Sequence, residues 1–97
     1  MRFLGGYSDA TVSGATGKSY PVPEDADMIE LFLSAAAAAS FLLQDGTNGQ
    51  GAQVARPRCV ASDTIRILLP AKLFASRNIF VNNDADASVT ILYWADR

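Results

Sequence analysis

Histidine is absent from the 97 residues, and cysteine occurs once, at Cys59. The first absence removes the commonest general base and metal ligand. The second excludes an intramolecular disulfide and any zinc site built from thiolates. A lone cysteine inside an apolar stretch reads as a small buried hydrophobe rather than a nucleophile. Charge is scarce too: Lys, Arg, Asp and Glu together make up 19% of the chain, against about 25% in an average domain. With 49% hydrophobic residues, disorder over most of the length is not expected. One small core does not absorb all of that apolar surface, and the surplus hints at burial against partners.

Other absences narrow the partners. The basic residues Arg2, Lys18, Arg56, Arg58, Arg66, Lys72, Arg77 and Arg97 are scattered, and the net charge is −2. That is not the basic stripe duplex nucleic acid demands, so no nucleic-acid partner is expected. The longest apolar stretch, residues 28–43, is broken by Glu30, Ser34 and Ser40. It falls short of the roughly 20 residues a membrane span needs. Met1-Arg2-Phe3-Leu4-Gly5-Gly6 contains no apolar region of signal-peptide length. The expectation is a soluble, non-secreted protein without a membrane partner.

Reaction chemistry is equally thin. Lys18 and Lys72 lie in no recognised Ser–Lys pattern. Asp25 and Asp27 beside Glu24, and Asp84 and Asp86 behind Asn82 and Asn83, could offer oxygen ligands to calcium. The full EF-hand spacing is missing, and aspartates in such loops commonly make turns by bonding their own backbone. Asp45-Gly46-Thr47-Asn48-Gly49-Gln50-Gly51 lacks both the Lys-Ser/Thr ending of a phosphate loop and the dinucleotide spacing. Asp-Gly followed by Asn-Gly is instead a β-turn signal. Arg56 and Arg58 fall on one face of a strand. They suit either pairing with a neighbour's acids or a phosphate, or simply keeping an edge strand wet. No catalytic, cofactor-binding or metal residue is assigned, no cofactor is implied, and the chain reads as not an enzyme.

What is present is a series of short extended segments. Residues 1–19 are rich in Gly, Ser and Thr and read as a flexible N-terminal arm or loop, with at most a short strand at residues 10–13. Residues 20–97 read as the folded domain. Pro21 and Pro23 bracket Val22 and suit an extended entry. Thr64-Ile65-Arg66-Ile67-Leu68-Leu69 alternates and is stopped by Pro70. Ile79-Phe80-Val81 ends in the turn residues Asn82-Asn83-Asp84. In residues 88–94, Val89, Ile91 and Tyr93 oppose Ser88, Thr90, Leu92 and Trp94. Residues 53–60 are a weaker strand, interrupted by Pro57 and so expected at an edge.

Residues 28–45 admit two readings. As two strands, Ile29, Leu31 and Leu33 alternate against Met28, Glu30, Phe32 and Ser34, and Phe41 and Leu43 against Leu42 and Gln44. The run Ala35 to Ala39 is then a tight connection. As a helix, Asp25 or Asp27 caps it, Gly46 ends it and five alanines favour it. Many short strands with regular turn signals favour the first. The fold class is therefore all-β, a small antiparallel, jelly-roll-like β-sandwich. The alternative is α+β, if residues 28–45 are helical.

The phrases Phe41-Leu42-Leu43-Gln44-Asp45-Gly46, Ile65-Arg66-Ile67-Leu68-Leu69-Pro70-Ala71 and the stretch from Ile79 to Trp94 carry a resemblance. Across residues 20–94 the chain resembles small β-sandwich structural proteins of tailed phages. In these a strand ending in Asp-Gly-Thr or Asp-Gly-Ser precedes one ending in Leu-Pro-Ala, and a final Val-Thr-rich strand ends in an aromatic pair. The chain departs from that pattern in the Ala35 to Ala39 run. The resemblance implies a virion protein assembled in the host cytoplasm: a capsid decoration or cement subunit that binds the major capsid protein, or a tail or baseplate accessory. It also implies a homo-oligomer, often a trimer on capsids. The competing expectation is a receptor- or glycan-binding module whose loops at residues 45–51 and 82–87 touch ligand. The placement of aromatics inside strands rather than loops weighs against it.

Overall fold

Period-two alternation is realised strand after strand. In β3 (Met28–Ser34) and β9 (Ala87–Ala95), the residues Ile29, Leu31, Leu33, Val89 and Ile91 are fully buried and Tyr93 nearly so. Their sequence neighbours point the other way and are only partly covered, except Glu30. β-branched and aromatic side chains on alternate positions suit one buried face of a pleated sheet. The computed structural model describes residues 1–14 and 16–96. Around β3 and β9 it places β1 (Arg2–Val12), β2 (Lys18–Pro21), β4 (Ala39–Asp45), β5 (Gln53–Ala55), β6 (Arg58–Cys59), β7 (Thr64–Pro70) and β8 (Asn78–Asn83).

These strands form two antiparallel sheets. Sheet A has the order β1-β9-β3-β7, and sheet B has the order β2-β8-β4-β5, with β6 also on β4. Taking β5 and β6 as one strand interrupted at Pro57, the pairs β1–β9, β2–β8, β3–β7 and β4–β5/β6 nest one inside the next. The chain is thus one long antiparallel hairpin whose tip is the loop at residues 46–52. Rolling it up adds the pairings β9–β3 and β8–β4. This is the eight-strand jelly-roll order. The fold class is therefore all-β, as read from the alternation, and residues 28–45 are two strands. The alanines at 35–38 carry the chain from one sheet to the other, and the helix reading is overturned. Helix propensity loses because Leu31, Leu33, Phe41 and Leu43 bury fully only with a two-residue period. The one helical element among the described residues is a 3-10 turn at Ala71–Leu73.

Residues 1–19 differ from expectation. Far from being an arm, they supply β1, which runs along β9 from Arg2 opposite Ala95 to Val12 opposite Ala87, with two register shifts. Lys18, Ser19 and Tyr20 then pair with β8. Backbone pairing to an apolar central strand orders a segment whose own side chains bury little. Asp9 ties this edge shut: Tyr20 Oη donates to its carboxylate at 2.6 Å and Lys18 Nζ at 2.9 Å, linking β1 of sheet A to β2 of sheet B. Pro70, expected to stop a strand, is instead the last residue of β7. It lies on an edge strand, where a missing N–H is tolerated.

A candidate protein-binding face

The two sheets treat their outward faces differently. On sheet B the outward ring is Phe80, opposite Ser19 and Gln44. It is only 8% exposed, because two glycines lie on it. A β-carbon at Gly17 would come 2.9 Å from the ring, and one at Gly49 3.2 Å. Both have positive φ, 65° and 77°, a backbone conformation glycine adopts freely. The loop at residues 46–52 is folded down over this face by Gln44, whose Nε2 donates to Gly49 O at 2.7 Å and Gly51 O at 3.2 Å.

On sheet A nothing comparable lies over the outward side chains among the described residues. Register places Phe3, Trp94, Met28 and Pro70 in one row across the four strands. Gly6, Leu92, Glu30 and Leu68 form the next, and Ser8, Thr90, Phe32 and Arg66 the third. Phe3 is 52% exposed and Leu68 48%, while Met28, Phe32, Leu92 and Trp94 are half-buried. The rings of Phe3 and Trp94 pack in a tilted contact, 5.1 Å between centres and 57° between planes. Strand spacing and rise give this face roughly 400 Å², the size of a large patch on a monomer.

One carboxylate sits inside the apolar face. Glu30 is buried, and its two oxygens are taken by separate donors. Trp94 Nε1 gives one hydrogen bond at 3.2 Å, and Arg66 Nε pairs with the other oxygen. The arrangement fixes the indole at the centre of the sheet and leaves Arg66 half-exposed at its rim. Aromatic anchors ringed by polar groups are the usual make-up of a protein contact.

The other residues weighed as functional are occupied structurally. Asp84 Oδ1 accepts from Ser40 N at 2.8 Å, and Asp86 Oδ1 from Gly14 N at 2.9 Å. They fasten distant segments, in place of the bonds to their own turn that the sequence led one to expect. Asp27 Oδ2 likewise accepts from Asp96 N. Among the described residues no three His, Cys, Asp or Glu side chains converge as a metal site. Cys59 is buried. Asp45 accepts from the amide and hydroxyl of Ser76, which hold its carboxyl below the usual range. Asp9 is lowered by Tyr20 and then Lys18. Tyr20 and Tyr93 are pushed up, chiefly by burial, so both phenols stay protonated and neither is a ready nucleophile. Tyr93 is the core ring, its hydroxyl on Pro21 O at 2.5 Å, and Trp94 the outward one. Alternation in the sequence set Tyr93 and Trp94 on opposite faces without saying which is buried, and it showed Glu30 only as a break in an apolar run.

At the far end of sheet B's outer face, Arg56 and Arg58 flank a cleft of about 550 Å³ with Ser40, Leu42, Asn82 and Asp84. Pro57 O accepts from Phe41 N at 2.8 Å, and β6 pairs Arg58 with Ser40, so the intervening backbone is fixed. No helix is long and apolar enough to cross a membrane among the described residues. No protein-family model, no curated protein and no solved structure matches the chain.

Proposed function

We propose that this protein is a non-enzymatic structural subunit of a phage particle, a capsid decoration or cement module. In this reading it buries the outer face of sheet A against a neighbouring protein subunit. The observation that carries it is the asymmetry between the faces: the chain covers Phe80 with its own loop, leaves Phe3 and Leu68 exposed and covers Trp94, Leu92 and Met28 only in part. A face of roughly 400 Å² is about half of what one partner contributes to a standard stable complex. A single copy would therefore hold weakly, and strong attachment would come from many copies repeated over a shell. The jelly-roll order agrees with a virion role by analogy only, since the fold also serves lectins and enzymes. The copies act as a homo-oligomer, with the trimer as the symmetry that the phage resemblance implies.

Co-sedimentation with capsids of the phage or prophage whose genome encodes the chain tests this. Wild type binds saturably, and Leu68→Lys, which places a charge on the face, weakens binding about tenfold or more while the free subunit keeps its circular dichroism. A monomeric protein without capsid affinity overturns the reading, as does a genome without phage structural genes.

A further inference from the structure

Several basic side chains of this chain are committed. Lys18 is held by Asp9 and Arg66 by Glu30. Arg77 Nη1 reaches the carbonyls of Pro23 and Ala26. Arg56 and Arg58 differ: among the described residues neither side chain has a hydrogen-bond or ion-pair partner. Two uncommitted guanidinium groups at alternate positions lie on one face, because Arg58 is opposite Ser40 and Arg56 follows Ala55, which is opposite Leu43. Their Cβ atoms are then about 7 Å apart, close enough for both forks to converge on one ligand.

We infer that the cleft between Arg56, Arg58 and Asn82 receives a single carboxylate side chain from a partner protein. Three features choose that ligand. The backbone is fixed beforehand by Pro57 O on Phe41 N and by the β6–β4 pairing, so little ordering is left to the moment of binding. The lining charges are two arginines against Asp84, whose Oδ1 already accepts from Ser40 N. A net charge of about +1 matches one carboxylate better than a phosphate, which carries nearly two charges at neutral pH. Leu42 in the wall provides apolar surface for the methylenes of a Glu or Asp side chain, and Arg forks bind carboxylates with two parallel bonds.

The inference deepens the proposed packing role, and the protein identity of the carboxylate donor rests on it. Sheet A and sheet B face opposite ways, so one subunit would grip one neighbour through its apolar face and a second through this cleft.

The isolated protein is titrated with the blocked peptide acetyl-Gly-Glu-Leu-amide while the arginine Nε–Hε resonances are followed by NMR. Parallel titrations use the glutamine analogue and inorganic phosphate. The glutamate peptide is expected to move Arg56 and Arg58 together, and the glutamine analogue not at all. R56Q and R58Q each weaken binding about tenfold, with the rest of the spectrum unchanged because both side chains are exposed. Stronger binding of phosphate overturns the carboxylate assignment. So does an equal response of Arg66 and Arg77, which signals screening alone, or no response. No capsid is needed here: a positive titration with failed capsid binding sinks the packing role and leaves the cleft standing, and the reverse result sinks the cleft alone.

Discussion

The two outward faces of this sandwich carry similar large apolar side chains and meet different fates. Phe80 on sheet B is roofed by Gly17 and by a loop held down through Gln44. Phe3 and Leu68 on sheet A have no such roof among the described residues, and the buried carboxylate of Glu30 keeps the half-buried indole of Trp94 in place beside them. The contrast separates two uses of apolar surface. On sheet B it helps hold the hairpin tip, which carries no other large apolar group. On sheet A it is left partly exposed to solvent. Composition alone does not distinguish these uses; register and loop placement do.

The comparison breaks first at Phe80. If the loop depends on that ring, Phe80→Ala costs about 3 kcal/mol, toward the low end of aromatic truncations. Urea denaturation reads the loss, and a change under 1 kcal/mol would mean the roof is ornamental. Next is Glu30→Ala, which strips Trp94 Nε1 and Arg66 Nε of their acceptor and costs about 2 kcal/mol. Trp94 fluorescence should shift red as the indole loosens, and an unchanged emission maximum would remove Glu30 from its anchoring role.

A smaller effect comes with pH. Asp9 and Asp45 have lowered pKa values in the fold. Their stabilisation is therefore present above the unfolded value, about 3.9, and is lost as pH falls through the lower folded one. Tyr20 and Tyr93 are raised, so their contribution is present below the unfolded value, about 10, and is lost as pH rises through the folded one. Urea midpoints against pH should plateau between these limits. Asp9→Asn should flatten the acid limb and Tyr93→Phe the alkaline limb. The smallest expected change sharpens the contrast most: Leu68→Ser alters the stability of the free subunit by no more than about 0.5 kcal/mol. A larger loss would show that sheet A's outer face supports its own fold.

Much of this architecture is legible in the chain. Alternation located β3, β4, β7, β8 and β9, and Pro57 marked the break between β5 and β6. β1 was illegible because Gly5, Gly6 and Ser8 carry little β signal; its order comes from β9, whose partners lie 75 (Val12 to Ala87) to 93 (Arg2 to Ala95) residues away in sequence. The Arg56–Arg58 face could be read from spacing. The role of Glu30 could not, since its donors come from β7 and β9. The fastening roles of Asp84 and Asp86 depended likewise on amides contributed from elsewhere.

The pairing of β1 with β9 has a consequence for biogenesis. β9 lies between β1 and β3 in sheet A, yet it follows all the other described strands in chain order. Until it emerges, β1 has no neighbour and β3 has β7 on one side only. Contacts this distant along the chain form slowly, on the millisecond-to-second scale typical of β-sandwiches. The apolar rows of sheet A therefore assemble only once β9 is available to join β1 to β3. A chain interrupted before β9 presents no finished outer face on sheet A, because the rows that cross from β1 to β7 run through that strand.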